Sequence, residues 1–371
     1  MPFAITDSKE IVVHGKEIVE GQLQRDPFAQ FTGASNENIV LAVPESAKGA
    51  SVCTIFIVSD LTGDGVEGNA DLADGEDELN FLPFTFKGGL IANSHKSPVD
   101  VIMDKTTASN WRVQKKSSLS KWATRRTVRE KFYTLSDKCT NQVIIKADGS
   151  VGATTAELVA GDTFDTQWLD EFLDRAENGW TDAGGDNHPA LESYYIEKTS
   201  EHGMEQIGEY YPVFVGPKSY KSLTNDPIWK EEQKQQAYQG LSTAVRGFGG
   251  VYRNAVIIKQ KADTPLKAGI LRSDSANFKG YVDFETQYKA GDNTVTELNF
   301  GLGAGAMALG FDTEPRYGED ATADSGRKVI AWTDQFFGVK KVRWVGETPE
   351  EEASLYHDKD YAVILMPSTI I

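Results

Sequence analysis

Histidine and cysteine are the residues best suited to metal or nucleophilic chemistry, and here their spacing supports neither. His14, His95, His188, His202 and His357 form no HExxH or other paired-ligand spacing, and neither Cys53 nor Cys139 has a CxxC partner. No zinc site is expected. Asp60, Thr62, Asp64, Gly65 and Asp71 echo the donor order of a calcium-binding EF-hand loop. No flanking helices are expected there, and Asp71 stands where a bidentate Glu is usual, so a plain acidic tip is the better reading. The glycines of Gly301–Gly305 (GLGAG) lack the GxGxxG context that cradles a dinucleotide, and close backbone packing explains them better. No GxxxxGK[ST] or GxSxG motif occurs. The adjacent Asp170 and Glu171 could serve a glycosidase, but an acidic chain offers such pairs by chance. The residues therefore point to no enzyme, no cofactor and no metal.

Charge is more informative than any motif. Residues 60–80 hold Asp60, Asp64, Glu67, Asp71, Asp74, Glu76, Asp77 and Glu78 with no Lys or Arg. Residues 105–131 hold Lys105, Arg112, Lys115, Lys116, Lys121, Arg125, Arg126, Arg129 and Lys131 against Glu130 alone. The simpler reading is an acidic loop and a basic helix face, each solvated. The sharper one lays the acidic loop of one subunit across the basic helix of the next. Single exposed ion pairs are worth only ~0–1 kcal/mol, yet complementary patches steer encounter and set register. The net charge of −17 over 371 residues argues against general nucleic-acid binding. No apolar run of about 18 residues suggests a membrane helix, and no secretory signal is visible at the start. Two widely separated cysteines suit reduced thiols in a cytoplasm.

The elements that carry these charges follow from pattern. Residues 1–50 lack sustained periodicity and read as an extended arm. Ser51–Ser59 is a β-branched strand, and 79–92 (LNFLPFTFKGGLIA) returns from the acidic tip to complete a long hairpin. Ser97-Pro98 resembles a helix start. A long helix is expected over about 107–136, with Trp111, Leu119, Trp122, Val128, Phe132 and Leu135 inward and the basic residues on the other face. Asp148-Gly149 suggests a type I′ turn between short strands at 143–146 and 150–154. Further helices are expected at 162–177 and at 224–238, the second with Pro227 at its first position. Strands are expected at 209–216, 250–259 (with Asn254 at a turn), 279–289, 328–332, 339–345 and 361–366. The small-residue run 298–311 reads as a tightly packed helix or turn. Interspersed helices and strands without a βαβ rhythm indicate an α+β fold.

Several segments, in order, resemble the major capsid protein family of N4-like podoviruses and related tailed phages, which has the HK97-like capsid fold. They are Glu67-Gly68-Asn69 with Asp77-Glu78-Leu79; Leu119, Trp122, Phe132 and Leu135 on the long helix; and Val213–Pro217 followed by Asp226-Pro227-Ile228-Trp229. Gly250-Val251-Tyr252 with Val256-Ile257-Ile258, then Leu302–Ala306, then Gly338-Val339-Lys340-Lys341 complete the series. The stretch between the first two motif halves is longer than the family pattern.

The resemblance implies a division of the chain. Residues 1–50 would be the N-terminal arm and 51–95 the E-loop hairpin that lies over an adjacent subunit. Residues 96–204 would form the peripheral domain with its spine helix, 205–320 the axial domain, and 321–371 strands returning to the peripheral domain. It also implies self-assembly into pentamers and hexamers of an icosahedral head in the virion, formed in the host cytoplasm. Scaffolding, portal and decoration or cement proteins would be partners, and packaged double-stranded DNA would be contacted non-specifically, with no membrane involved. The charge segregation then suggests an inter-subunit interface of Asp71, Asp74, Glu76, Asp77 and Glu78 with Lys115, Lys116, Arg125, Arg126 and Arg129. Alternatives are an encapsulin-like nanocompartment shell, which shares the fold, and a carbohydrate-active hydrolase or binding protein. Their discriminants are a cargo-docking site and a cleft with paired carboxylates.

Overall fold

A computed structural model of the chain describes residues 26–44, 52–58, 81–96, 111–182, 185–200, 203–235, 245–260, 267–268, 288–292, 294–311, 316–320, 330–344, 356 and 358–370. The acidic stretch 60–80, the EF-hand-like segment, the Ser97-Pro98 helix start and nearly all of the strand expected at 279–289 lie outside them.

The long helix forms where the apolar stripe requires it, as α1 (Trp111–Ser136). Its 26 residues span about 39 Å at 1.5 Å per residue. Leu119, Ala123, Val128, Phe132 and Leu135 are buried, while Ser118, Lys121 and Arg125 share an exposed stripe. Three threonines mid-helix return their hydroxyls to the carbonyl four residues back: Thr124 to Ser120, Thr127 to Ala123 and Thr134 to Glu130. The second helix, α2 (Thr166–Asn178), is capped by the Asp165 carboxylate, which accepts from the Gln167 amide, and ends at Gly179 with φ +67°.

Two short helices follow, α3 (Pro217–Leu223) and α4 (Pro227–Gln235), each opening on proline. Asp226 serves two helix starts at once. One carboxylate oxygen accepts from Ile228 N and the other from Thr166 N and Oγ1. The sequence pattern predicts no helix where α3 lies.

Two mixed sheets make the body. The first joins β1 (Thr32–Gly33), β2 (Val40–Pro44), β14 (Met307–Phe311), β16 (Ile330–Lys341) and β15 (Arg316–Asp320) in that order, and β5 (Gly89–Lys96) also pairs with β16. The second runs β10 (Phe248–Tyr252), β11 (Ala255–Lys259), β9 (Gly203–Val215), β13 (Thr296–Leu302), β12 (Lys267–Ala268), with β17 (Val363–Thr369) on β13 and β8 (Tyr194–Ser200) on β9. Outside both, among the described residues, β3 (Val52–Val58) pairs with β4 (Phe81–Lys87) and β6 (Trp180–Thr181) with β7 (Asn187–His188). Parallel pairs (β2 with β14, β9 with β11) sit among antiparallel ones, as an α+β architecture allows.

Aromatic rings join these layers. Phe28 lies 4.8 Å from Phe132 of α1 and 4.6 Å from Phe214 of β9, and Phe132 in turn lies 6.0 Å from Phe300 of β13. From the other side Phe172 of α2 covers Gly301, where an added Cβ would come within 2.0 Å of the ring.

Several expectations need correction. Residues 26–44 of the expected arm are built into the body, with Phe28, Phe31, Ile39 and Val40 buried. The run 298–311 is not a helix but parts of two strands, β13 and β14. Its small residues let one strand in each sheet accept a ring, Gly301 of β13 that of Phe172 in α2 and Gly310 of β14 that of Phe86 in the β3–β4 hairpin. The strands expected at 328–332 and 339–345 are one continuous β16. Near Gly149, neither Ala147 nor Asp148 has positive φ, so the turn is not type I′. Gly149 alone takes the left-handed conformation, at φ +81°, beside a single bridge between Ile145 and Val151.

Candidate functional site

The groups suited to chemistry are used structurally. Asp170 accepts from the Tyr252 hydroxyl at 3.0 Å and pairs with Arg253 at 2.9 Å, while Glu171 holds Arg175 at 2.7 Å. The adjacent carboxylates are thus tied to two different elements. Cys53 and Cys139 are buried and form no disulfide. Among the described residues no group of three or more His, Cys, Asp or Glu is arranged for a metal, and no helix is long and apolar enough to cross a membrane.

The surface features are more distinctive, beginning with the β3–β4 hairpin. Its strands alternate, so Cys53, Ile55, Phe84 and Phe86 face inward onto Leu41, Ala308 and Val342. Glycines make the seat. A Cβ on Gly310 would lie 2.8 Å from Cys53 Sγ, and one on Gly338 only 2.6 Å from Gly88 Cα. Lys340 fastens the hairpin, donating to Thr85 O at 3.3 Å with its ammonium 4.5 Å from the centre of the Phe84 ring. The outward face carries Thr54, Phe56, Pro83, Thr85 and Lys87, with Phe56 directly opposite Pro83 and 55% exposed. Beyond the hairpin, Leu90 and Trp332 are also exposed.

The basic helix lies on the other side of the first sheet. Leu119 of α1 packs with Ala331 and Tyr317, whereas Phe336, of opposite parity on β16, packs with the hairpin cluster. Arg125 is exposed, Lys116, Arg126 and Arg129 are half-buried, and Arg126 reaches Glu130 at 3.4 Å. Lys115 is in the helix, but its side chain is outside the described residues, as are Asp71, Asp74, Glu76, Asp77 and Glu78. The contact expected between these acidic and basic groups, which would join two subunits, therefore lies outside the described residues. One basic residue counted on the outer face turns inward: Lys131 pairs with Asp26, both side chains being more than nine-tenths buried.

The C-terminal end of α1 holds a polar knot that the sequence did not reveal. Lys341 donates to Asp137 O and pairs with Asp360 at 2.8 Å, Arg343 donates to Lys138 O, and the Tyr288 hydroxyl donates to Ser136 O. These donors satisfy carbonyls that a helix end leaves open, and the two cations oppose its dipole. Burial pushes the Cys139 thiol up to about 12, with Lys341 acting in the opposite direction, so the thiol is inert at neutral pH. Burial also raises the Tyr288 hydroxyl well above its usual range. Residues 137–139, 288, 341, 343 and 360 share no local spacing, so only the tertiary fold assembles them.

No protein-family model matches the chain. It is 23% identical over 379 aligned positions to the major structural protein ORF14 of Helicobacter pylori bacteriophage KHP30, covering 94% of this chain and 92% of that protein. Among solved structures it resembles the head of Helicobacter pylori bacteriophage KHP40 with a TM-score of 0.71 and 21% identity, covering 94% and 91% of the two chains. The acidic stable capsid of bacteriophage KHP30 gives the same TM-score and identity, over 93% and 91%. The capsid of Ralstonia phage GP4 gives 0.64 at 16% identity, over 92% and 90%. The fold is the HK97-like fold of phage capsids. The narrower likeness to N4-like podoviruses rests on the sequence motifs alone.

Proposed function

We infer that this chain is the major capsid protein of a tailed bacteriophage, a structural subunit that assembles with copies of itself into an icosahedral head. The observation that carries this reading is end-to-end agreement. The capsid fold extends over more than nine-tenths of the chain, and so does the alignment with the phage major structural protein. Neither the nanocompartment reading nor the hydrolase reading has a specific observation in its favour.

The likeness supports a division of labour between the two sheets. The first sheet with α1 is the peripheral domain, α1 being its spine. The second sheet with α2, α3 and α4 is the axial domain near capsomer axes, and the β3–β4 hairpin is the base of the E-loop. This division follows the sheets more closely than the linear boundaries do. Strands β14 and β15 of the 205–320 segment lie in the first sheet, and the C-terminal β17 lies in the second.

Copies meet through the outward faces. The β3–β4 hairpin sits on the side of the first sheet away from α1. An acidic tip at Asp71–Glu78 that meets Lys115, Lys116, Arg125, Arg126 or Arg129 therefore does so most directly on a neighbour. Pentamers and hexamers are the assembly units, with scaffolding, portal and decoration proteins as further partners and packaged DNA touched without sequence preference. Weak individual contacts multiplied over many copies allow errors to reverse before the shell closes. Light scattering on the purified chain, alone and co-expressed with neighbouring phage genes, tests the reading. Particles far larger than one subunit are expected, and a subunit that stays monomeric under both conditions refutes it.

A further inference from the structure

The turn that follows α2 is built around a fully buried histidine whose ring nitrogens have no hydrogen-bond partner. Gly179 starts it in the left-handed conformation, where a Cβ would lie 2.7 Å from His188 O. β6 and β7 then pair Trp180 with His188, and the Asp182 and Asp186 backbones close the loop, Asp182 N donating to Asp186 O at 2.9 Å. The Trp180 ring is sandwiched. The Arg175 guanidinium lies 3.7 Å from its centre and the His188 ring 4.8 Å away at 15°. Two groups stacked this closely must occupy opposite faces. Trp180 is further fixed by donating its indole N–H to Asn141 at 2.8 Å.

The His188 side chain is fully buried, and neither ring nitrogen has a hydrogen-bond partner. Asp182 Oδ2 lies 3.6 Å from Nε2, beyond a normal hydrogen bond. The other charges facing the ring are cations. Lys359 of the C-terminal run is held by Asp186, and Arg175 of α2 by Glu171. Burial first, then Lys359, with Arg175 adding to them, hold the imidazole below its usual range; Asp182 opposes them. The turn is otherwise exposed at Thr181, Gly185, Asp186 and Asn187. Its Asp186–Lys359 pair buttresses a segment in which Asp358 and Asp360 hold Arg343 and in which Lys359 O accepts from Trp344 N.

We propose that β6 and β7 form an acid-released latch, in which protonation of His188 unstacks it from Trp180 and frees the pair from the C-terminal run. A charged imidazole would be buried without a hydrogen bond and close to Lys359 and Arg175, with Asp182 as the one anion opposing them. Opening the turn exposes the ring to water, where it takes up a proton in the ordinary histidine range near about 6.5. The closed form resists that proton. Closure is thus fully favoured above the ordinary range and weakens as pH falls towards the depressed value of the closed state, by up to about tenfold per pH unit.

Native-state hydrogen exchange on the full chain tests this, followed at the Asp182 and Asp186 amides from about pH 7.5 to about pH 5. Protection, corrected for the intrinsic pH dependence of exchange, should fall by up to about tenfold per pH unit below about pH 6.5. Protection of the buried strand β13 should stay flat. In His188→Gln the turn should lose this pH dependence, whereas parallel profiles in the two proteins overturn the latch. If that variant does not fold, the His188 imidazole is titrated by NMR in the natural chain. Titration below the ordinary range, in step with loss of turn protection, supports the proposal. Titration while the turn stays protected overturns it.

Discussion

Lys131 of α1 and Asp26, 105 positions apart, form an ion pair whose side chains are 4% and 8% exposed, beside the Phe28 ring. This pair fixes the start of the described chain to the long helix, since Asp26 also accepts from Phe28 N. Removing one partner strands the other charge in the interior, at a cost of ~3–5 kcal/mol. Lys131→Met should therefore shift the urea midpoint strongly, and Asp26→Asn/Lys131→Met should recover part of the loss. Equal midpoints for the natural chain and the single variant would contradict the pairing.

Gly338→Ala tests the hairpin seat. The added methyl meets backbone, Gly88 Cα at 2.6 Å and N at 3.0 Å, which cannot rotate away. The hairpin should lift and expose Cys53, so that alkylation modifies Cys53 faster than in the natural chain while Cys139, buried with a pKa near 12, stays unreactive. Unchanged Cys53 reactivity would show that the seat tolerates the methyl.

Asp360 stands between Lys341 at 2.8 Å and Arg343 at 3.3 Å, and also accepts from Thr140 N. Asp360→Asn leaves two cations against the end of α1 without their shared anion. A loss of ~3–5 kcal/mol is expected from denaturant unfolding, whereas Arg316→Gln, which removes a largely exposed partner of Asp334, should cost no more than ~1 kcal/mol.

Phe56→Ser separates folding from assembly. An exposed side chain contributes within about 0.5 kcal/mol to subunit stability, so the urea midpoint should stay put. If the outward hairpin face meets a neighbour, the yield of assembled particles should fall. Assembly at the natural level would remove Phe56 from the interface.

Reversing charge at Arg125 and Arg126 tests the acidic-loop contact. Arg125→Glu/Arg126→Glu should weaken assembly and flatten its dependence on salt, because screening acts on the attraction that the variant has lost. Particles forming with unaltered salt dependence would rule the contact out.

What the sequence made legible was local. The apolar stripe of Leu119, Val128, Phe132 and Leu135 marked α1, and Pro227 at a first helical position marked α4. β-Branched content in Ser51–Ser59 marked the hairpin strand. Elements that depend on distant partners were not legible. Gly301 and Gly310 fit strands only because Phe172, Cys53 and Phe86 arrive from elsewhere to fill the space above them. Phe28 and Phe31 gave no periodic signal, since they are inserted between α1 and the second sheet as single anchors. Lys131 looked like any other lysine of a basic face until its partner Asp26 was in place. The basic half of the expected interface was visible as charge density; which of its members face outward depends on the packing of α1.

The most direct test is negative-stain electron microscopy of the purified full chain at near-physiological and high salt, alone and co-expressed with the genes beside it. Closed shells or capsomer-sized rings are the expected result. A well-folded monomer at high concentration under every one of these conditions would contradict its assignment as a capsid subunit.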